Sequence, residues 1–166
     1  MSRAVRFGWL AALFAAVVAA DQVSKYAVAT FTAPGSLRVL LPGLLNLTHT
    51  TNTGVAFGIL SNSSAPWRTP LLVAFSLVVM AAIVWLLATD RAGSALGRCG
   101  MTLILGGAAG NLLDRLVRRS VTDFIDFHLG RYHWYTFNLA DSAIVLGVAL
   151  MLLELWRDRR PRRAQA

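Results

Sequence analysis

A single cysteine, Cys99, occurs among the 166 residues. One thiol excludes an internal disulfide and any cysteine-based metal cage. Its apolar surroundings read as packing. Acidic residues are also scarce, with 8 Asp and Glu against 16 Lys and Arg. The resulting charge of +8 is scattered along the flanks of apolar runs. It forms no basic stripe interleaved with exposed aromatics, so a nucleic-acid partner is excluded and anionic lipid headgroups are the natural counter-charge. The three histidines, His49, His128 and His133, lie far apart and lack a ligand pattern such as HExxH. They read as interfacial or capping groups, and neither a metal nor a cofactor is expected. Internal repeats, low-complexity tracts and a clear linker are all missing, and the length suits one domain over 1–166.

What the chain has in excess is apolar sequence, at 56% of residues and a mean hydropathy of +0.57. Soluble domains run nearer 45–50% apolar. The excess is gathered in runs, which predicts an integral membrane protein. Four spans are expected, at about 7–29, 70–88, 95–113 and 139–156. The first has a false twin: Arg3, Arg6, an apolar stretch and Val18-Ala19-Ala20 resemble a cleavable signal peptide. The helical pattern continues past Asp21, which favours a retained span. The third is interrupted by Arg98 and by Gly106-Gly107-Ala108-Ala109-Gly110, small residues that let helices approach closely in a bilayer. The segment 31–67 is too polar to span. Leu45, Leu47 and Thr48 to Thr53 favour short strands, so it is expected as a β-rich layer on the outer surface. Trp67, Trp134, Tyr135 and Trp156 fit an interfacial aromatic belt. Residues 157–166 form a basic tail.

Four spans put both termini on one side. Nine of the 16 basic residues then share that side, which favours cytoplasmic termini by the positive-inside rule. The seven on the outer side are more than expected and call for local partners.

This topology brings four carboxylates to the outer edge: Asp21, Asp114, Asp123 and Asp141. Asp123 is placed in the short connection between the last two spans. Carboxylates near hydrocarbon are costly, so a cluster at one depth marks a functional site. Helical spacing allows Asp21 to face Lys25, Asn111 to face Asp114 or Arg115, and Asn138 to face Asp141. Two close carboxyls share a proton, so one can activate a water while the other protonates a carbonyl oxygen. Spacing alone leaves rivals: a proton relay in a small proton-coupled transporter, or magnesium ligands in a lipid-headgroup transferase. Taken singly, Asp21 with Lys25 could be a surface ion pair, Asp114 with Arg115 a structural helix end, and Asp126 a solvated side chain.

Five blocks, in order, carry a resemblance across nearly the whole chain. They are Asp21-Gln22-Val23-Ser24-Lys25, Asn52-Thr53-Gly54-Val55-Ala56-Phe57, the stretch from Gly106 to Arg115, Val121-Thr122-Asp123-Phe124, and Phe137-Asn138-Leu139-Ala140-Asp141-Ser142. Together they resemble the bacterial lipoprotein signal peptidases (signal peptidase II). The resemblance implies a membrane bundle of four helices with a small extracytoplasmic β-rich cradle. It implies an aspartic endopeptidase that cuts signal peptides from diacylglyceryl-modified prolipoproteins, before the lipidated cysteine. Its partners would be those substrates and membrane lipids, and it would act as a monomer in the bacterial inner membrane with its site on the extracytoplasmic face. By motif position the catalytic pair maps to Asp123 and Asp141. Asn52, Gly54, Asn111, Arg115, Asn138 and Ala140 fall where the family shapes its substrate site. Asp21, Lys25 and Asp114 fall at supporting polar positions. One departure is visible: the family often has proline before the last block, where this chain reads Trp134-Tyr135-Thr136.

Overall fold

The computed structural model describes residues 3–54, 67–89 and 91–158, the side chains of 3–6 excepted. Val55, Ala56 and Phe57 of the second motif, and the tail beyond 158, lie outside the described residues. Helix α1 runs Arg3–Phe31, α2 Arg68–Ala88, α3 Ala95–Arg118 and α4 Leu139–Asp158. Strands β1 (Leu37–Leu41), β2 (Leu45–Asn52), β3 (Val121–Leu129) and β4 (Tyr132–His133) form one antiparallel sheet in that order.

Three helical stretches, Phe7–Phe31, Arg68–Ala88 and Leu139–Asp158, are long and apolar enough to cross a membrane. Helix α3 is not among them, although a span was expected there. Its position explains its composition. It packs against α1, α2 and α4, and its inward residues include Gly97, Gly100, Gly106, Gly107 and Gly110. A helix surrounded by helices needs small contact residues more than lipid-facing bulk. The glycines serve this: a Cβ on Gly107 would collide with the Ala140 carbonyl, one on Gly106 with Val17, and one on Gly110 with the Asp21 carboxylate. Gly100 and Gly147 each face the other's carbonyl oxygen where α3 crosses α4.

The sheet is larger than the sequence suggested. Strands were expected only within 31–67, yet β3 follows α3 almost at once. Arg119 caps α3 in the left-handed region (φ 59°), and its N–H closes onto the Arg115 carbonyl. That turns the chain within two residues into Val121. Asp123 therefore sits in a strand rather than in a loop. The stretch after β4 stays docked on β3. Trp134 N donates to Phe127 O at 2.8 Å, and Phe137 exchanges hydrogen bonds with Ile125.

The close crossing yields a test. Gly147→Ala places a Cβ 2.5 Å from the Gly100 carbonyl oxygen, so the helices must part. Overpacking of this kind costs about 1–3 kcal/mol. Gly8→Ala meets nothing within 4 Å. Thermal unfolding in detergent should show a clear loss for Gly147→Ala and none for Gly8→Ala. Equal midpoints would contradict the crossing.

Candidate active site

Lys25 is fully buried on α1, beside a fully buried Asp21 one turn earlier. Its ammonium stands 2.8 Å from Asp21 Oδ2 and 2.8 Å from Asp114 Oδ2, and donates to Asn111 Oδ1 at 2.9 Å. The reading of Asp21 with Lys25 as a surface ion pair is therefore corrected. The pair is an interior group, because α3 lies across it and brings Asp114 into contact. Asp114 also meets Arg118 at 3.2 Å. Lys25 and Arg118, two of the cations for which local partners were expected, thus have them. Asp21 Oδ1 accepts from the backbone N–H of Ala140 at 3.0 Å, which ties α1 to the start of α4. Ala140 is fully buried, and any larger side chain there would displace that contact.

Asn138 is the N-cap of α4, and Asp141 stands three residues on. The Asn138 side-chain oxygen accepts from Asp141 N at 3.0 Å, and the Asp141 carboxylate accepts from Asn138 N at 3.3 Å. This reciprocal pair is a capping box. It fixes the Asp141 rotamer and places a carboxylate at the positive end of the helix dipole. The same Asn138 amide donates to Asp123 Oδ1 at 2.6 Å and to Asn111 Oδ1 at 3.2 Å. Asn111 donates to Asp141 Oδ1 at 2.8 Å. Asp123 Oδ2 accepts from Asn52 Nδ2 at 2.9 Å.

Asn52 is itself held. Its Oδ1 accepts from Gly54 N at 2.8 Å, an Asx turn, and Arg115 donates to the Gly54 carbonyl at 3.1 Å and to the Asn111 carbonyl at 3.3 Å. Arg115 thus fixes two backbone carbonyls. All the named site positions therefore converge. Asp123 and Asp141 share Asn138, with Asn111 and Asn52 as further donors. Arg115 and Gly54 brace Asn52, while Asp21, Lys25 and Asp114 brace Asn111 from behind.

Asp123 is 2% exposed. Burial first, and the neighbouring Asp141 second, push its carboxyl up to about 6 against the opposing hydrogen bonds from Asn52 and Asn138. A cavity of about 710 Å³ opens beside the pair, lined by Asn52 and Asp141 at one end and by Phe137, Ile144, Val145 and Ala149 along an apolar wall.

Two sequence readings fail on this sheet. Asp126, expected to be solvated, is 6% exposed. It accepts from Asn46 at 2.8 Å and His133 lies 3.0 Å away. His128 and His133 stack on each other at 4.8 Å instead of lying at an interface separately. His49 does cap, its Nδ1 meeting the Thr32 carbonyl at 2.8 Å just beyond α1. The missing signal was β4, too short at two residues to show in the sequence.

Apolar helices ending in a paired-carboxylate site define a membrane protein of the aspartic-hydrolase type. The comparisons agree. The profile described as signal peptidase (SPase) II, peptidase family A8, matches residues 13–157. A lipoprotein signal peptidase of Solibacter usitatus is 43% identical over 150 residues, covering 88% of this chain and 89% of that one. One from Syntrophotalea carbinolica is 40% identical over 142 residues, covering 86% and 87%. A bacterial membrane enzyme solved by the in meso method at 2.3 Å superposes with a TM-score of 0.85 at 30% identity, covering 96% of this chain and 94% of its own. The chain belongs to the signal peptidase II family, a family of aspartyl proteases.

Removing one member of a buried ion cluster costs about 3–5 kcal/mol, because the remaining charges are left unpaired. Lys25→Met should lower the unfolding free energy in detergent by that order. A loss below about 1 kcal/mol would show that the cluster is solvated.

Proposed function

We propose that this chain is a membrane aspartyl endopeptidase that removes signal peptides from diacylglyceryl-modified prolipoproteins, cutting before the lipidated cysteine. Family membership supports the reaction class. The observation that carries the residue assignment is Asn138, whose side chain and backbone N–H reach Asp123 and Asp141 together. The transporter reading is not supported: a relay needs polar groups through the depth of the bundle, and these acids gather at one end.

The two carboxyls share one proton. The ionised partner takes a proton from a water as its oxygen attacks the scissile carbonyl carbon. The protonated partner gives its proton to the carbonyl oxygen. Collapse of the tetrahedral intermediate re-forms the carbonyl and breaks the C–N bond: the carboxyl that took the water proton gives it to the departing amine, and the hydroxyl proton returns to the other carboxylate. The apolar wall of the cavity along α4 suits the side chains of a signal peptide. The diacylglyceryl chains stay in lipid, which presents the scissile bond at the depth where the helices end. The exposed apolar strand β1 suits contact with the same interface.

The proposal extends to topology. All four helices, including α3, span the bilayer of the bacterial inner membrane as one domain. The termini are cytoplasmic and the site faces outward. Helix α3 has 24 residues, about 36 Å at 1.5 Å per residue, enough to cross. The chain acts as a monomer, with prolipoproteins and membrane lipids as partners.

Purified protein should cleave a diacylglyceryl-modified prolipoprotein in detergent with EDTA present. Asp123→Asn and Asp141→Asn should remain folded and lose at least about 10³-fold in kcat, as expected when an acid–base group is removed. Retained turnover in either variant would remove that residue from the mechanism. Abolition of wild-type cleavage by EDTA would favour the magnesium-dependent transferase type of site.

The pH dependence has a defined sign. A carboxyl pushed up to about 6 keeps its proton below that pH and loses it above. The pair then holds two negative charges and no acid. The free-enzyme profile of kcat/KM should fall as pH rises through about 6. A profile flat from pH 5 to 8 would contradict the assignment.

A further inference from the structure

Strand β3 has two faces with different chemistry. Asp123 points toward the helix bundle. Asp126 is three residues on, an odd spacing, and so belongs to the opposite face, together with His128. The sheet register adds to that second face. Asn46 on β2 is directly across from Asp126, and His133 on β4 is directly across from His128. Two strands, β3 and β4, thus deliver Asp126, His128 and His133 to one point, with one ligand atom from each lying within 4.8 Å of the others.

We propose that Asp126, His128 and His133 form a binding site for a divalent transition-metal ion of the zinc class, separate from the catalytic pair. Two imidazoles and one carboxylate are a donor set that zinc accepts, and these residues present it without rearrangement of the backbone. Zinc ligands at about 2.1 Å in tetrahedral geometry stand about 3.4 Å apart. His133 Nδ1 and Asp126 Oδ1 are already 3.0 Å apart. Ring rotation brings in the third donor.

The local polar balance also favours a cation. The Asp126 carboxylate is nearly buried, with His133 and Asn46 as its partners. Asn46 Nδ2 also meets His128 Nδ1 at 3.4 Å, and that nitrogen carries an inward lone pair in the tautomer protonated at Nε2. Asn46 is 5% exposed, and its Oδ1 has no partner among the described residues. A buried half-satisfied amide calls for a reason. Rotating this amide by 180° would turn the oxygen onto the Asp126 carboxylate, which is repulsive unless a cation lies between them. With a cation there, Oδ1 becomes a fourth donor. An entry path is present: a cavity of about 470 Å³ is lined by Asp126 and His133 together with Leu37, Thr48 and Trp134.

The bound ion would join β3 to the short β4 at His133. The next residues, Trp134 to Phe137, line the cavity beside Asp141. The ion would therefore fasten one wall of that cavity without touching the reacting atoms.

The test uses the full chain, tag-free and freed of metal with chelator, titrated in detergent with zinc chloride alone by calorimetry. One ion per chain is expected, with a zinc-dependent rise in the unfolding midpoint. Cobalt chloride should give visible absorption bands typical of low-coordinate nitrogen and oxygen ligation. His133 is 53% exposed on a two-residue strand, so His133→Asn leaves the fold intact. It should weaken zinc binding at least about tenfold and remove the midpoint rise. Asp126→Asn should do the same. Absence of saturable one-to-one binding, or binding unchanged in a folded His133→Asn, would overturn the proposal.

Discussion

Lys25 holds one positive charge, entirely out of water, between the carboxylates of Asp21 and Asp114. The end of the bundle that carries the site depends on that arrangement. An unpaired charge in such a place would cost several kcal/mol, so α1 and α3 must meet where they do. Once they meet, Asn111 is oriented by the same ammonium and directs its amide to Asp141. Asp21 reaches past Lys25 to the N–H of Ala140 and seats the first turn of α4. The two carboxyls proposed to react are thus positioned by charges that have no contact with them. The glycines of α3 make this possible by letting Asp21 and Ala140 come close to the helix backbone.

From this base the site is built outward through neutral amides. Asn138 caps α4, clamps Asp141 and bonds Asp123, all with one side chain and one N–H. Asn52 closes the far side of Asp123 and is fixed in turn by Gly54 and Arg115. Amide donors hold a carboxylate in place without neutralising it, so Asp123 can be buried yet remain titratable near neutrality. A cation bonded directly to the pair would have pinned both carboxyls in the ionised form.

Much of this was legible in the sequence. The run boundaries gave the helices to within a few residues, because charge and proline bracket each apolar stretch. The polar motif positions meet at one end of the bundle. The glycine-rich stretch was readable as a close-packing surface. What was hidden lay in the sheet. Val121 to Leu129 looked like a connection between spans, since its mixed polar and apolar order is also that of a loop. Asp126 looked solvated because nothing local shows that Asn46, 80 residues earlier, will pair with it. His128 and His133 seemed unrelated because the turn at Gly130, with φ 59°, brings them together only after the hairpin closes. Helix α3 reads as a weak span for the opposite reason: its environment is protein, and hydropathy measures suitability for lipid.

The central claim is that Asp123 and Asp141 act on one water between them. A lipopeptide carrying a hydroxyl in place of the scissile carbonyl mimics the tetrahedral intermediate. A structure of the protein with that ligand tests the claim directly. The account predicts that the hydroxyl lies within hydrogen-bond distance of both carboxylates, with the peptide side chains on the apolar wall of α4. A tightly bound ligand whose hydroxyl meets neither Asp123 nor Asp141 would contradict it.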